Sequence, residues 1–158
     1  MKKLLITSSV LMIVVGIVMI GGGLLGIAVI YQNVIQEKIV TPDDASIPNV
    51  PVRGPFTLKA QADIIKQHTL RMTNGQVFAE MPRQVPKLDA NGNPVLGNDG
   101  KPVMVANTSR DIWITATTLT TALHLGIVSY AIAGLAFILG LVSILIGTAF
   151  YALSKRQG

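Results

Sequence analysis

The chain has 158 residues, half of them hydrophobic, a formal charge of +5 and no cysteine. Disulfide and thiolate chemistry are therefore excluded. The positive balance comes mostly from Lys2, Lys3, Lys155 and Arg156 at the two ends, without a basic patch interleaved with aromatics, so nucleic acid is not an expected partner.

The first element is an uncharged apolar run from Leu4 to Ile30. At about 27 residues it is long enough to cross a bilayer with tilt, and much longer than the 7–15 residue apolar core of a signal peptide. No small-x-small cleavage site follows Ile30, so the expectation is an uncleaved anchor. Ser9, Met12, Gly16, Met19, Gly23 and Gly26 recur at steps of three and four along it, and Gly22 with Gly26 forms a GxxxG. The helix is expected to continue outward until Thr41-Pro42, giving a first segment of residues 1–38 and its short exit.

Residues 39–108 form the middle segment and, with the flanking positions, hold all eight acidic side chains. Pro42, Pro48, Pro51 and Pro55 predict an extended linker. Leu58, Ala62, Ile65, Leu70 and Met72 then fit an amphipathic helix over about 57–72 that Asn74-Gly75 ends in a left-handed cap. Val77-Phe78-Ala79 reads as a short strand. Over 89–104, Asn91-Gly92-Asn93-Pro94-Val95-Leu96 is echoed by Asp99-Gly100-Lys101-Pro102-Val103-Met104, two tight turns each feeding a short apolar strand in a hairpin-like arm.

The last segment, 109–158, contains a second apolar run, Leu125 to Leu153. Thr108 reads as its N-cap, with Asp111 completing a capping box, so one helix is predicted from about 109 to 153. Ala122, Gly126, Ser129, Ala133, Ala136, Gly140, Ser143 and Gly147 alternate steps of four and three, which places all eight on one helix face. Lipid tails give helices no hydrophobic reason to associate, so close backbone contact between small residues has to do it. These positions, with Ser9, Gly16, Gly22, Gly23 and Gly26, are the expected helix-packing interface.

The positive-inside rule applied to the terminal cations places both termini in the cytoplasm of a plasma-membrane protein and the middle region outside. The fold class expected is a mainly α membrane protein: an antiparallel two-helix transmembrane hairpin on long helical stalks, with a small α+β extracytoplasmic region. Neither span holds an Asp, Glu, Lys, Arg or His, which argues against an ion-coupled transporter. The two histidines, His68 and His124, would complete a metal site only if Asp63 joined them through folding of the outer helix onto the stalk. Asp89-x-Asn91-x-Asn93 starts like a calcium loop, but Pro94 takes its glycine position and Gly100 stands where the bidentate Glu belongs. Asn107-Thr108-Ser109 matches a glycosylation sequon, which the capping role explains as well. No nucleophile–base pair, phosphate loop or dinucleotide fingerprint is present, and no cofactor is expected.

One resemblance runs through several segments: Gly54-Pro55-Phe56-Thr57-Leu58-Lys59-Ala60-Gln61-Ala62-Asp63-Ile64-Ile65, His68-Thr69, Ala79-Glu80-Met81-Pro82-Arg83, and Trp113 with Ala116-Thr117. Together they resemble a family of small two-span actinobacterial membrane proteins, some labelled aromatic ring-opening dioxygenases. Extradiol ring-opening enzymes hold iron through His and Glu ligands in a soluble fold, so the resemblance implies lineage and topology with no reaction attached. The expected role is non-catalytic: assembly through the small-residue helix faces as a homo-oligomer or an accessory subunit of a larger plasma-membrane complex, in contact with lipid and with copies of itself or other membrane subunits. Gln61, Asp63, His68, Glu80 and Arg83 are its candidate recognition residues. A ligand- or envelope-binding module is the alternative, and a membrane metalloenzyme or an oligomeric pore lies further off.

Overall fold

The computed structural model describes residues 2–156; Met1, Gln157 and Gly158, at the ends of the two expected terminal segments, lie outside the described residues. Three helices carry the fold: α1 (Lys2–Gln36), α2 (Pro55–Met72) and α3 (Thr108–Arg156). Two short strands, β1 (Gln84–Pro86) and β2 (Met104–Ala106), pair antiparallel with Val85 opposite Val105. The chain is mainly helical, and α1 and α3 are each long and apolar enough to cross a membrane. With 49 residues, α3 is about 74 Å long at 1.5 Å per residue.

α1 and α3 pack antiparallel along a seam of small residues spaced by seven. Ser9, Gly16 and Gly23 are the buried residues of α1, and they meet Gly147, Gly140 and Ala133 of α3. The fit is backbone against backbone. A Cβ added to Gly16 would lie 2.7 Å from the Gly140 carbonyl oxygen, and one on Gly140 would lie 2.7 Å from that of Gly16. At Gly147 the obstacle is the Ser9 carbonyl at 2.9 Å, and at Gly23 the Ala133 carbonyl at 2.8 Å. Any side chain larger than hydrogen would force the helices apart at these points, losing dispersion contacts over several turns.

The remaining small residues divide around this seam. Ala136 and Ser143 flank it half-buried, and Gly26 faces the Ala133 methyl. Gly22 is exposed, with open space where its Cβ would be, so the GxxxG pair does not close a contact. Gly126 turns instead toward Leu58 of α2, Ser129 lines a cavity beside it, and Ala122 is exposed. The backbones touch once per heptad, and Ala136 and Ser143, each three residues beyond a seam position, fall to one side of it.

Residues 39–52 are not an extended linker. They close into a loop in which Val52 N–H donates to the Ile39 carbonyl at 2.9 Å and Thr41 N–H to that of Val50 at 3.0 Å. The buried Thr41 hydroxyl accepts from Val50 N–H at 3.1 Å. The prolines bring no N–H that needs a partner, and Thr41 satisfies what the loop leaves over, so a proline-rich segment folds without regular structure. Val52 then joins Leu58, Ala62 and Leu123 in a small core, with Val34, Ile39, Ile65 and Tyr130 packed on it. This core ties the C-terminal end of α1, α2 and the N-terminal part of α3 into one head.

α2 starts on Pro55, with the Thr57 hydroxyl accepting from Arg53 and Gly54 N–H at 2.9 and 3.1 Å. It ends where Asn74 and Gly75 turn left-handed and Gly75 N–H donates to the Leu70 carbonyl at 2.7 Å. Residues 78–80 form a 3-10 turn where a strand was expected, because the Glu80 carboxylate accepts from Val77 N–H at 3.0 Å and closes the turn locally. The cap of α3 is also displaced by one residue. Asn107 Oδ1 accepts from Ser109 N–H at 3.1 Å, while Thr108 is already helical.

The arm between β1 and β2 contains three copies of one unit, not two. Pro86-Lys87-Leu88, Pro94-Val95-Leu96 and Pro102-Val103-Met104 stand eight residues apart. Lys87 N–H donates to the Val103 carbonyl at 2.7 Å, Val103 N–H to that of Val95 at 2.9 Å, and Val95 N–H to that of Lys87 at 2.8 Å. The pairings Leu88 with Pro94, Leu96 with Pro102 and Pro86 with Met104 complete the ring. Gly92 and Gly100 sit at φ 81° and 73° in its turns, a region costly to residues with a Cβ. The turns are closed by Asp89, whose Oδ1 accepts from Asn91 and Asn93 N–H at 2.9 and 2.8 Å, and by Asp99 bonding Lys101 N–H at 3.2 Å. The carboxylate that opens the calcium-like motif is thus occupied by its own turn.

Candidate functional site

α2 lies against α3 with a groove on each side, and the polar residues of α2 are divided between them. On the side toward α1 a cavity of about 630 Å³ is walled by Ile30, Asn33 and Val34 of α1 and Glu37 just after it, by Leu58, Gln61 and Ile65 of α2, and by Leu119, Ala122, Gly126 and Ser129 of α3. Its walls are mostly apolar. Further from α1 it runs into a second hollow of about 540 Å³, bounded by His68, Thr69, Asp111 and Thr115, with Ile65 and Leu119 common to both. The opposite groove, about 290 Å³, is lined by Asp63, Lys66, Trp113, Thr117 and His124.

This division separates the three residues considered for a metal. His68 faces one groove, and Asp63 and His124 face the other, because α2 packs on α3 through the residues between them. Asp63 is paired with Lys59 at 2.7 Å. His68 Nε2 donates to Asp44 Oδ2 at 2.8 Å; a carboxylate only accepts, so this nitrogen carries the proton. Arg71 reaches the same oxygen at 3.2 Å. The His68 hydrogen bond, reinforced by its charge and by Arg71, holds the Asp44 carboxyl below its ordinary 3.8 against the opposing effect of burial. Among the described residues no group of three or more His, Asp and Glu converges.

The five expected recognition residues therefore do not form one surface. Gln61 is in the wall of the large cavity, Asp63 and His68 are in ion pairs on opposite sides, and Glu80 closes its own turn. Arg83 lies on the exposed chain before β1, where its carbonyl accepts from Asn107 N–H at 3.1 Å.

Three residues to which sequence reasoning assigned no tethering role hold the head together. Arg110 donates to the Met81 and Phe78 carbonyls at 2.6 and 3.2 Å, and its guanidinium lies 3.9 Å from the centre of the Phe78 ring. Trp113 Nε1 donates to the Gln76 carbonyl at 2.8 Å and to Thr73 Oγ1 at 3.2 Å. Tyr130 O–H donates to the Arg53 carbonyl at 2.8 Å, fixing the start of α2 to α3. A polar residue on the first turns of a long helix signals such a tether only once its partner loop is known.

Two features of the head stand without a partner among the described residues. Leu88, Leu96 and Met104, equivalent in the three arm units, are 58%, 61% and 48% exposed. Gln61 Oε1 is buried with no hydrogen-bond partner. Comparison with protein-family models, curated proteins and solved structures finds no match.

Proposed function

We propose that this chain is a two-pass plasma-membrane protein whose α1/α3 hairpin holds the head outside the cell, and that it acts without catalysis as a subunit of a larger membrane assembly. The observation that carries the reading is the exposure of the two apolar helices. Only 11% and 17% of their most apolar windows are buried, so Leu4, Leu11, Leu25, Ile132 and Leu145 face outward. A soluble helical hairpin would hide these side chains, whereas hydrocarbon accommodates them. Tyr31 and Tyr130 mark the outer boundary, and the exposed Phe56 lies in the first turn of α2, close in sequence to the Arg53 carbonyl that Tyr130 holds. The terminal cations then lie on the cytoplasmic side.

The small-residue seam is satisfied within one chain, so assembly rests on other surfaces. The arm supplies one: three apolar side chains on a rigid ring, held away from the lipid, suit a partner's extracytoplasmic domain. The test has two parts. A cysteine-free chain accepts single reporters, so Ala90→Cys should react with an impermeant maleimide on intact cells and Lys155→Cys only after permeabilisation. Native mass spectrometry after gentle extraction should then show foreign subunits that leave when Leu88, Leu96 and Met104 are changed together to Ser. Reversed labelling would overturn the topology, and a bare 16.8 kDa monomer would overturn the assembly role.

A further inference from the structure

The large cavity between α1, α2 and α3 lies where the proposed membrane boundary falls. From Ser129 to Leu119 it follows about 15 Å of α3, beginning level with Tyr130 and rising into the head. Its volume of about 630 Å³ is within the range of small-molecule sites. The lower wall is Ile30, Leu125 and Gly126 with Ser129, whose hydroxyl is bonded to its own helix, and the polar groups Asn33, Glu37 and Gln61 stand above it.

The chemistry of those groups narrows the occupant. No lysine or arginine lines the cavity, so it offers nothing to pair with a phosphate. Glu37 accepts, Ser129 spends its proton on the Leu125 carbonyl at 2.8 Å, and Gln61 Oε1 is buried with no hydrogen-bond partner among the described residues, so Gln61 can meet an occupant only through the rest of its amide. Asn33 both donates and accepts, and the Gln61 amide nitrogen donates. An ammonium head only donates, whereas hydroxyls serve both kinds of group. We propose that this cavity seats one lipid of the outer leaflet with an uncharged, hydroxyl-bearing head group, a glycolipid in chemical class. Its tails stay in the bilayer along Ile30 and Gly126, and its head lies against Asn33, Glu37 and Gln61.

This inference rests on the membrane reading above, and the test separates the two. The full chain is reconstituted in phosphatidylcholine vesicles alone, with added phosphatidylethanolamine, or with added monoglucosyl diacylglycerol, and native mass spectra record the lipid that stays bound. The glycolipid should be retained about tenfold above its share of the bilayer, a preference worth 1.4 kcal/mol. Ala122→Phe, which fills the cavity from an exposed position, should return retention to that share. Gln61→Leu should weaken retention while raising the lipid-free melting temperature, because it removes an orphaned carbonyl. Equal retention of all lipids, preference for phosphatidylethanolamine, or indifference to Ala122→Phe would each overturn the cavity assignment. A chain that does not float with the vesicles would overturn the membrane reading and this one together.

Discussion

At the scale of single residues, the glycines are not interchangeable, and the difference is measurable. Gly16 and Gly140 each face the other's carbonyl oxygen, so Gly140→Leu should cost about 3 kcal/mol and separate the helices while the chain still inserts. Gly22→Ala, with nothing near its Cβ, should be neutral or stabilise by up to about 1 kcal/mol through helix propensity. Thermal unfolding in detergent compares the two, and equal effects would disprove the seam. Ser9 gives a second contrast, since its Oγ is buried without a hydrogen-bond partner among the described residues. Ser9→Ala should stabilise by about 1 kcal/mol. At the head, the Asp44 carboxyl has a depressed pKa, so its contribution is present above the ordinary value of 3.8 and is lost as pH falls through the lower folded value. Hydrogen exchange of residues 40–52 should therefore quicken only in strong acid, and His68→Ala should move that onset upward in pH. An onset indifferent to His68 would mean the pair does not hold the loop.

At the scale of elements, the legible parts were those with a long periodic signal. The apolar runs, the amphipathic pattern from Leu58 to Met72 and the Asn74-Gly75 stop each correspond to an observed helix or helix end. Three elements were hidden for physical reasons. Residues 39–52 carry prolines that break any period, and their fold depends on one threonine hydroxyl meeting Val50 across the loop. The first arm unit is disguised by Lys87, which stands where the other two copies have valine. The end of the third is disguised by Thr108, which stands at the position of Gly92 and Gly100 because α3 starts there. The seam itself was visible as a face, but a 3.5-residue period does not say whether the partner helix belongs to the same chain. The polar residues of α2 were legible as candidates, and their separation into two grooves was not, because it depends on how far α2 rolls on α3. Closure of the arm makes it sensitive at its turns: Gly100→Val should cost about 1–2 kcal/mol and open the ring to protease while the helices remain folded. Limited proteolysis of the reconstituted chain reads this directly, and an uncut arm would contradict the ring.

At the scale of the whole molecule, the head is built on the helices and not beside them. Trp113, the single tryptophan, is hydrogen-bonded across from α3 to the end of α2, so its emission reports the docking of the two. Trp113→Phe keeps the ring but removes both hydrogen bonds, and should loosen the 73–81 segment by about 1–2 kcal/mol without altering the hairpin. Exchange protection confined to that segment would fall; a global fall would mean that head and hairpin unfold as one unit. The continuity of α3 has a mechanical consequence. Asn107, which follows β2, bonds the Pro82 carbonyl just before β1 and caps a helix that runs unbroken to Arg156, so a pull on the arm is borne along a single rod. That rod is keyed to α1 by small residues seven positions apart, and its notches engage again only after a slip of about 10.5 Å. Between those stations carbonyls would ride over side chains, so the hairpin answers tension as a detent, by holding register or by jumping a full step.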